Sequence, residues 1–191
     1  MGIRTGVLLF ASSFLLGAFF THWSVDYKTL WTSKLLDSSV KSAHIYYHDL
    51  VRAPAWVSLI LYGVSVLGLG STLAKMVEMN QSTLLFDGAS LFLQLTTLAT
   101  YHFDIRNAFD LLPPLSAGSA ASAALVGVLK ELASAHTIIA VALTGVIGLQ
   151  AGQFYADKVP PTVPQSTASS VPTSPVQPST PNMPSSPRKR K

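Results

Sequence analysis

His44 and His48 stand four residues apart, with Asp49 directly after them. On a helix the two rings share one face, a spacing that metal ligands use. A metal enzyme would need a third ligand, and His102, Asp104 and His136 are the candidates in the chain. A Ser-His-Asp hydrolase would use the same residue types, but no G-x-S-x-G turn is present to hold its nucleophile. P-loop and dinucleotide fingerprints are absent. The 191 residues contain no cysteine, which excludes disulfides and thiolate metal sites. The plainer reading is a polar loop helix with hydrogen-bonded histidines. No catalytic residue, metal or cofactor is therefore expected.

Asp87 suggests a different chemistry. It lies near the start of an apolar stretch, where burying its charge in lipid would cost several kcal/mol unless a partner or a proton neutralised it. Two roles stay open for it: a structural one, in the headgroups or as cap of the helix start, or a contact with a client protein or a neighbouring helix. Small residues form the second pattern. Ala140, Thr144, Gly148 and Gly152 recur every four residues, with Gly145 beside that line, and Ser13, Gly17 and Thr21 repeat the spacing. Gly63, Gly68 and Gly70 thin a third stretch. Such faces let helix backbones approach closely, and Ser or Thr can hydrogen-bond across the contact. They serve either packing within one bundle or reception of another membrane protein's helices.

The elements that carry these residues must be membrane helices. Hydrophobic residues are 49% of the chain and charged residues 12%, about half the charge of a soluble domain. Mean hydropathy is +0.40. A helix needs about 20 apolar residues to cross a bilayer. Four stretches qualify, at about 5–23, 55–74, 84–103 and 135–155, and Asp87 is the one acid within them. Backbone amides in lipid must be satisfied within their own helix, so these are helices. Trp23, Tyr27, Trp31, Trp56, Tyr101 and Tyr155 sit at or near the proposed ends, as interfacial aromatics do. The first stretch ends in Phe19-Phe20-Thr21-His22-Trp23, a poor cleavage site, so it reads as a retained signal anchor.

The expected architecture is an all-α membrane protein with four transmembrane helices in a bundle (residues 1–158) and a disordered C-terminal tail (159–191). Residues 24–53 read as a polar loop long enough for a small helix. Residues 75–83 read as a short turn. The Ala/Ser/Gly-rich run before residue 135 reads as an interfacial helix or an extension of the fourth span. Nine of twelve prolines fall after residue 158, among many Ser and Thr, as in an extended tether. The formal charge of +4 is local, since the tail ends Arg188-Lys189-Arg190-Lys191, and nucleic acid is not an expected partner. A small transporter or channel subunit is a second reading, drawing on Asp87 and polar residues of the third span. An intramembrane metal enzyme built on His44, His48 and His136 is a third.

One family accounts for more of the chain. The residues that carry the match are Phe14-Leu15-Leu16-Gly17-Ala18-Phe19-Phe20, then Asp26-Tyr27 and Leu30. Tyr47-His48 before Pro54, Gly68-Leu69-Gly70 before Lys75, and Phe86-Asp87 with Ser90-Leu91 follow in order. Gly145-Val146-Ile147-Gly148-Leu149-Gln150 and Tyr155 close it. Over about residues 6–156 the chain resembles the fungal endoplasmic-reticulum packaging chaperones for amino-acid permeases. The resemblance implies a chaperone of the endoplasmic-reticulum membrane that assists folding of polytopic amino-acid permeases and their packaging for export. Vesicle-coat components are implied as partners of the tail. On this reading Ser13, Gly17, Thr21, Gly68, Gly70, Asp87, Thr144, Gly148 and Gly152 are candidate helix or client contacts. The Pro/Ser/Thr-rich tail departs from family tails rich in Lys and Glu. Its final Arg188-Lys189-Arg190-Lys191 still resembles a basic retrieval signal. Loop charge alone would put residues 24–53 in the cytosol, with six basic residues on that side against three near the spans on the other. The resemblance implies the reverse, with cytosolic termini and a lumenal first loop. We adopt it, which leaves the Asn80-Gln81-Ser82 sequon in the cytosol and unused.

Overall fold

A computed structural model describes residues 2–32, 36–77, 81–115 and 122–158, with no side-chain placement for 81–83. These residues lie in one unit, Met1–Val159. The terminal basic cluster and Asn80 fall outside the described residues.

Among the described residues every element is helical. α1 spans Ile3–Phe20, α2 Trp23–Leu30, α3 Asp37–Val51 and α4 Ala55–Met76. α5 spans Gln81–Ala99 and continues as a π-helical segment, Thr100–Ile105, into the short α6, Arg106–Asp110. α7, Ala123–Ala156, is the longest. Pro54 stands just before α4 with an extended backbone and lacks the N–H that a helix start leaves unpaired. Ser122 caps α7 by accepting from the Leu125 amide at 3.2 Å.

α1, α4 and α7 are long and apolar enough to cross a membrane. α5 lies outside that set, because Asp87, Ser90, Gln94, Thr96 and Thr97 interrupt its apolar run. Length and composition thus support three of the four expected spans. Two further boundaries differ from the sequence reading. α1 ends at Phe20, so His22 lies beyond the span. α7 starts a dozen residues before the expected fourth span, so residues 123–134 extend that helix. At 1.5 Å per residue α7 is about 51 Å long, well beyond a hydrocarbon core of about 30 Å.

The extra length has a use. Leu125, Leu129 and Leu132 recur on one face of α7 and are buried with Val40, Ala43 and Tyr47 of α3, and with Ile105 and Ala108. The expected polar loop is thus two helices folded onto the first turns of α7, burying apolar side chains away from water. Below this cap α1 packs against α4 and α7, and α5 against α7 and α4. The N-terminal end of α1 meets the C-terminal end of α4, where the Arg4 guanidinium donates to the Ala74 carbonyl at 3.0 Å.

Candidate functional site

Two buried polar clusters occupy opposite ends of the bundle. His136 and Gln150, one in each, stand about 21 Å apart along α7. The first cluster joins α4, α5 and α7. Lys75 Nζ donates to Asp87 Oδ1 at 2.7 Å, to Gln150 Oε1 at 2.6 Å and to Gln153 Oε1 at 3.0 Å. Gln150 Nε2 donates to Asp87 Oδ1 at 3.2 Å and to Ser90 Oγ at 3.0 Å. Asp87 is 0% exposed and Gln150 1%. This geometry gives Asp87 a structural partner inside the bundle. A charge pair costs too much in hydrocarbon unless its remaining polar atoms are hydrogen-bonded, and the two glutamines supply most of those bonds. Asp87 Oδ2 is buried without a partner. A cavity of about 300 Å³ adjoins the cluster, lined by Gly2, Thr5, Gln150, Gln153, Phe154, Asp157 and Lys158. One turn deeper, Gln94 Nε2 donates to Thr72 Oγ1 at 2.7 Å.

The second cluster lies where α2, α3 and α7 meet. Tyr47 Oη donates to Asp26 Oδ1, and His136 Nδ1 donates to Asp26 Oδ2 at 2.8 Å. The His22 ring stacks on His136 with centroids 4.6 Å apart, and Tyr46 Oη lies 2.7 Å from His22 Nδ1. Burial lowers the His22 pKa to about 4, and nearby His136 adds to the shift against the opposing pull of Asp26. His22 is therefore neutral at pH 7. Burial raises the Tyr47 pKa, and the adjacent Asp26 carboxylate raises it further.

Among the described residues no third ligand joins His44 and His48. His44 is turned to the Pro113 carbonyl, to which its Nε2 donates at 2.7 Å. His136 faces Asp26 instead. No group of three metal-ligating side chains gathers among the described residues.

The small-residue positions divide into two sets. Gly68 is buried, and a Cβ there would meet Ala11 Cβ at 3.2 Å. A Cβ at Gly145 would meet the tip of Leu93 at 2.7 Å, and one at Gly152 the Phe86 ring at 3.3 Å. These glycines serve packing within the bundle. Ser13, Gly17, Thr21, Gly70, Thr144 and Gly148 are exposed. Gly17, Gly70 and Gly148 have open space above them. The Thr21 and Thr144 hydroxyls donate to carbonyls of their own helices, Ala18 and Ala140.

Sequence reasoning missed Lys75 as the partner of Asp87 and Gln153 as a partner of Lys75, and missed Asp26 and Tyr47 altogether as buried groups. A usable signal existed for the first. Lys75 and Asp87 are opposite charges in apolar surroundings, flanking one short connection between consecutive helices. Asp26 gave no comparable sign, since it sits in a segment with charges of both signs. Compared with known proteins, the chain matches the family model SHR3_chaperone, described as ER membrane protein SH3, over residues 1–163. No curated protein and no solved structure matches it.

Proposed function

We propose, from the premise that this chain belongs to the SHR3 chaperone family of endoplasmic-reticulum membrane proteins, that its clients are polytopic amino-acid permeases. It shields their helices during folding and prepares them for packaging into vesicles bound for the Golgi. The observation that carries this reading is the outward set of small and hydroxylated residues, Ser13 and Gly17 on α1, Thr21 just past its end, and Thr144 and Gly148 on α7. Unassembled permease helices expose polar and small groups that lipid cannot satisfy. A Gly/Ser/Thr face lets such a helix approach closely, and contacts of this kind are weak enough to exchange, averaging about 0.6 kcal/mol per hydrogen bond.

A four-span bundle with cytosolic termini and a lumenal α2–α3 cap fits this role. The burial pattern of α5 supports its being the fourth span. Its polar Asp87, Ser90, Gln94 and Thr97 are buried, while Leu84, Leu85, Phe92 and Leu95 are exposed. A helix in water presents the opposite arrangement. In this topology the tail reaches the cytosol, where its basic end can serve as a retrieval signal and the tail can meet coat components. Asp87 holds the bundle together through Lys75 and does not touch the client.

Cysteine scanning tests the contact faces, because the chain has no cysteine of its own. Gly17→Cys, Thr144→Cys and Gly148→Cys should each cross-link to a newly made permease carrying a cysteine in an early span. Gly68→Cys, inside the bundle, should not. Cross-linking from none of the outward positions would remove these faces from the reading.

A further inference from the structure

A groove of about 450 Å³ opens to the outside between α4 and the end of α5, lined by Tyr62, Val66, Leu95, Leu98, Ala99, His102 and Phe103. It is apolar along its inner length. Only its outer end, toward the α2–α3 cap, is polar, where Tyr62 Oη and His102 Nδ1 lie 3.3 Å apart. The Arg106 guanidinium interacts with the same tyrosine hydroxyl and electrostatically with Asp110. Arg106 is exposed. The π-helical segment Thr100–Ile105 forms this mouth, and such segments recur at functional sites.

From this arrangement we infer that the groove binds one zwitterionic glycerophospholipid. The phosphate sits against Arg106 and the Tyr62–His102 pair, the head-group ammonium faces Asp110, and one acyl chain lies against Val66, Leu95, Leu98 and Ala99. Charge complementarity selects this occupant. A cation with a nearby carboxylate, above an apolar slot, matches an amphiphile that carries both signs in its head. The orientation is consistent, because exposed Trp56 at the start of α4 marks the same interface. This inference rests on the transmembrane reading of α4 and α5 and not on any client, so the lipid and client experiments fail independently.

Native mass spectrometry of the full chain in mild detergent, with added phosphatidylethanolamine or phosphatidylglycerol, tests it. Wild-type protein should retain one phosphatidylethanolamine per chain in preference to phosphatidylglycerol. Arg106→Gln, and separately Ala99→Trp, which fills the slot from an exposed position, should each cut retention at least tenfold. Should Arg106→Gln fail to fold, Asp110→Asn replaces it and should abolish the preference between the two lipids. Equal retention of both lipids by the wild type would overturn the inference. So would undiminished retention by Ala99→Trp, or a photo-cross-linker at position 99 that captures permease in place of lipid.

Discussion

Replacing Lys75 with methionine should strand Asp87 inside the bundle. Three acceptors lose their donor at once, the carboxylate at 2.7 Å and the glutamine carbonyls at 2.6 and 3.0 Å. The surviving bond from Gln150 Nε2 to Asp87 Oδ1 is long, at 3.2 Å, and Asp87 is shielded from water. Removing one partner of a buried ion pair costs about 3–5 kcal/mol, because the other charge is left uncompensated. Each orphaned buried acceptor adds about 1–3 kcal/mol unless a neighbour rotates to meet it. We therefore expect Lys75→Met to cost at least about 4 kcal/mol, a large share of a marginal stability of about 5–15 kcal/mol. The double variant Lys75→Met/Asp87→Leu removes both charges and fills the space with apolar atoms. Ser90 Oγ still receives Gln150 Nε2 at 3.0 Å in that variant, so at least half the loss should be recovered. The assay is denaturant or thermal unfolding of purified protein in mild detergent, read as a double-mutant cycle with Asp87→Leu as the second single variant. A single Lys75→Met variant as stable as wild type would refute the argument. So would a double variant whose loss equals the sum of the two singles, since the charges would then not be coupled.

The two sets of glycines should separate in the same unfolding assay: Gly68→Leu must displace Ala11 and should cost about 1–3 kcal/mol, while Gly148→Leu, above open space, should leave stability unchanged and lower permease export. Tyr47→Phe removes one donor to the buried Asp26 carboxylate, and a hydrogen bond to a charged group is worth about 1.5–3 kcal/mol, so melting should shift down accordingly with the helix content intact. His22 gives a pH dependence of defined sign. Between its ordinary pKa of 6.5 and its folded value of about 4, the unfolded chain binds a proton that the folded chain does not. Stability therefore falls as pH drops through that window, by on the order of 3 kcal/mol at full extent. His22→Gln should flatten this part of the pH–stability curve measured in detergent.

The apolar helices were legible because lipid leaves a chain few choices. A long run without charge has to be a helix, and α1, α4 and the second half of α7 lie where hydropathy puts them. The third expected span, α5, falls short of the hydropathy of the others for a physical reason. Its polar residues face α4 and α7, so its apolar content falls although its outer surface stays greasy, and hydropathy averages over both faces. The cap was legible only as polarity. Its burial depends on α7 starting well before residue 135, and Lys130 and Glu131 within residues 123–134 left that continuation open. Facing relations were the least accessible. The spacing of Ser13, Gly17 and Thr21 predicts a shared face but not its direction, and the structure turns that face outward while turning Gly68 in. The histidines misled in the same way. His44 and His48 share a helix face as their spacing suggests, yet the packing of α3 turns His44 to a backbone carbonyl and leaves His136 to Asp26.

The most direct test of the central claim is permease delivery in a fungal cell lacking this chain. Several tagged amino-acid permeases would be followed beside one unrelated polytopic transporter. Client-selective chaperoning requires the permeases to accumulate in the endoplasmic reticulum while the control reaches the cell surface, with rescue by the wild-type chain. Normal surface delivery of every permease, or equal retention of the control, would contradict it.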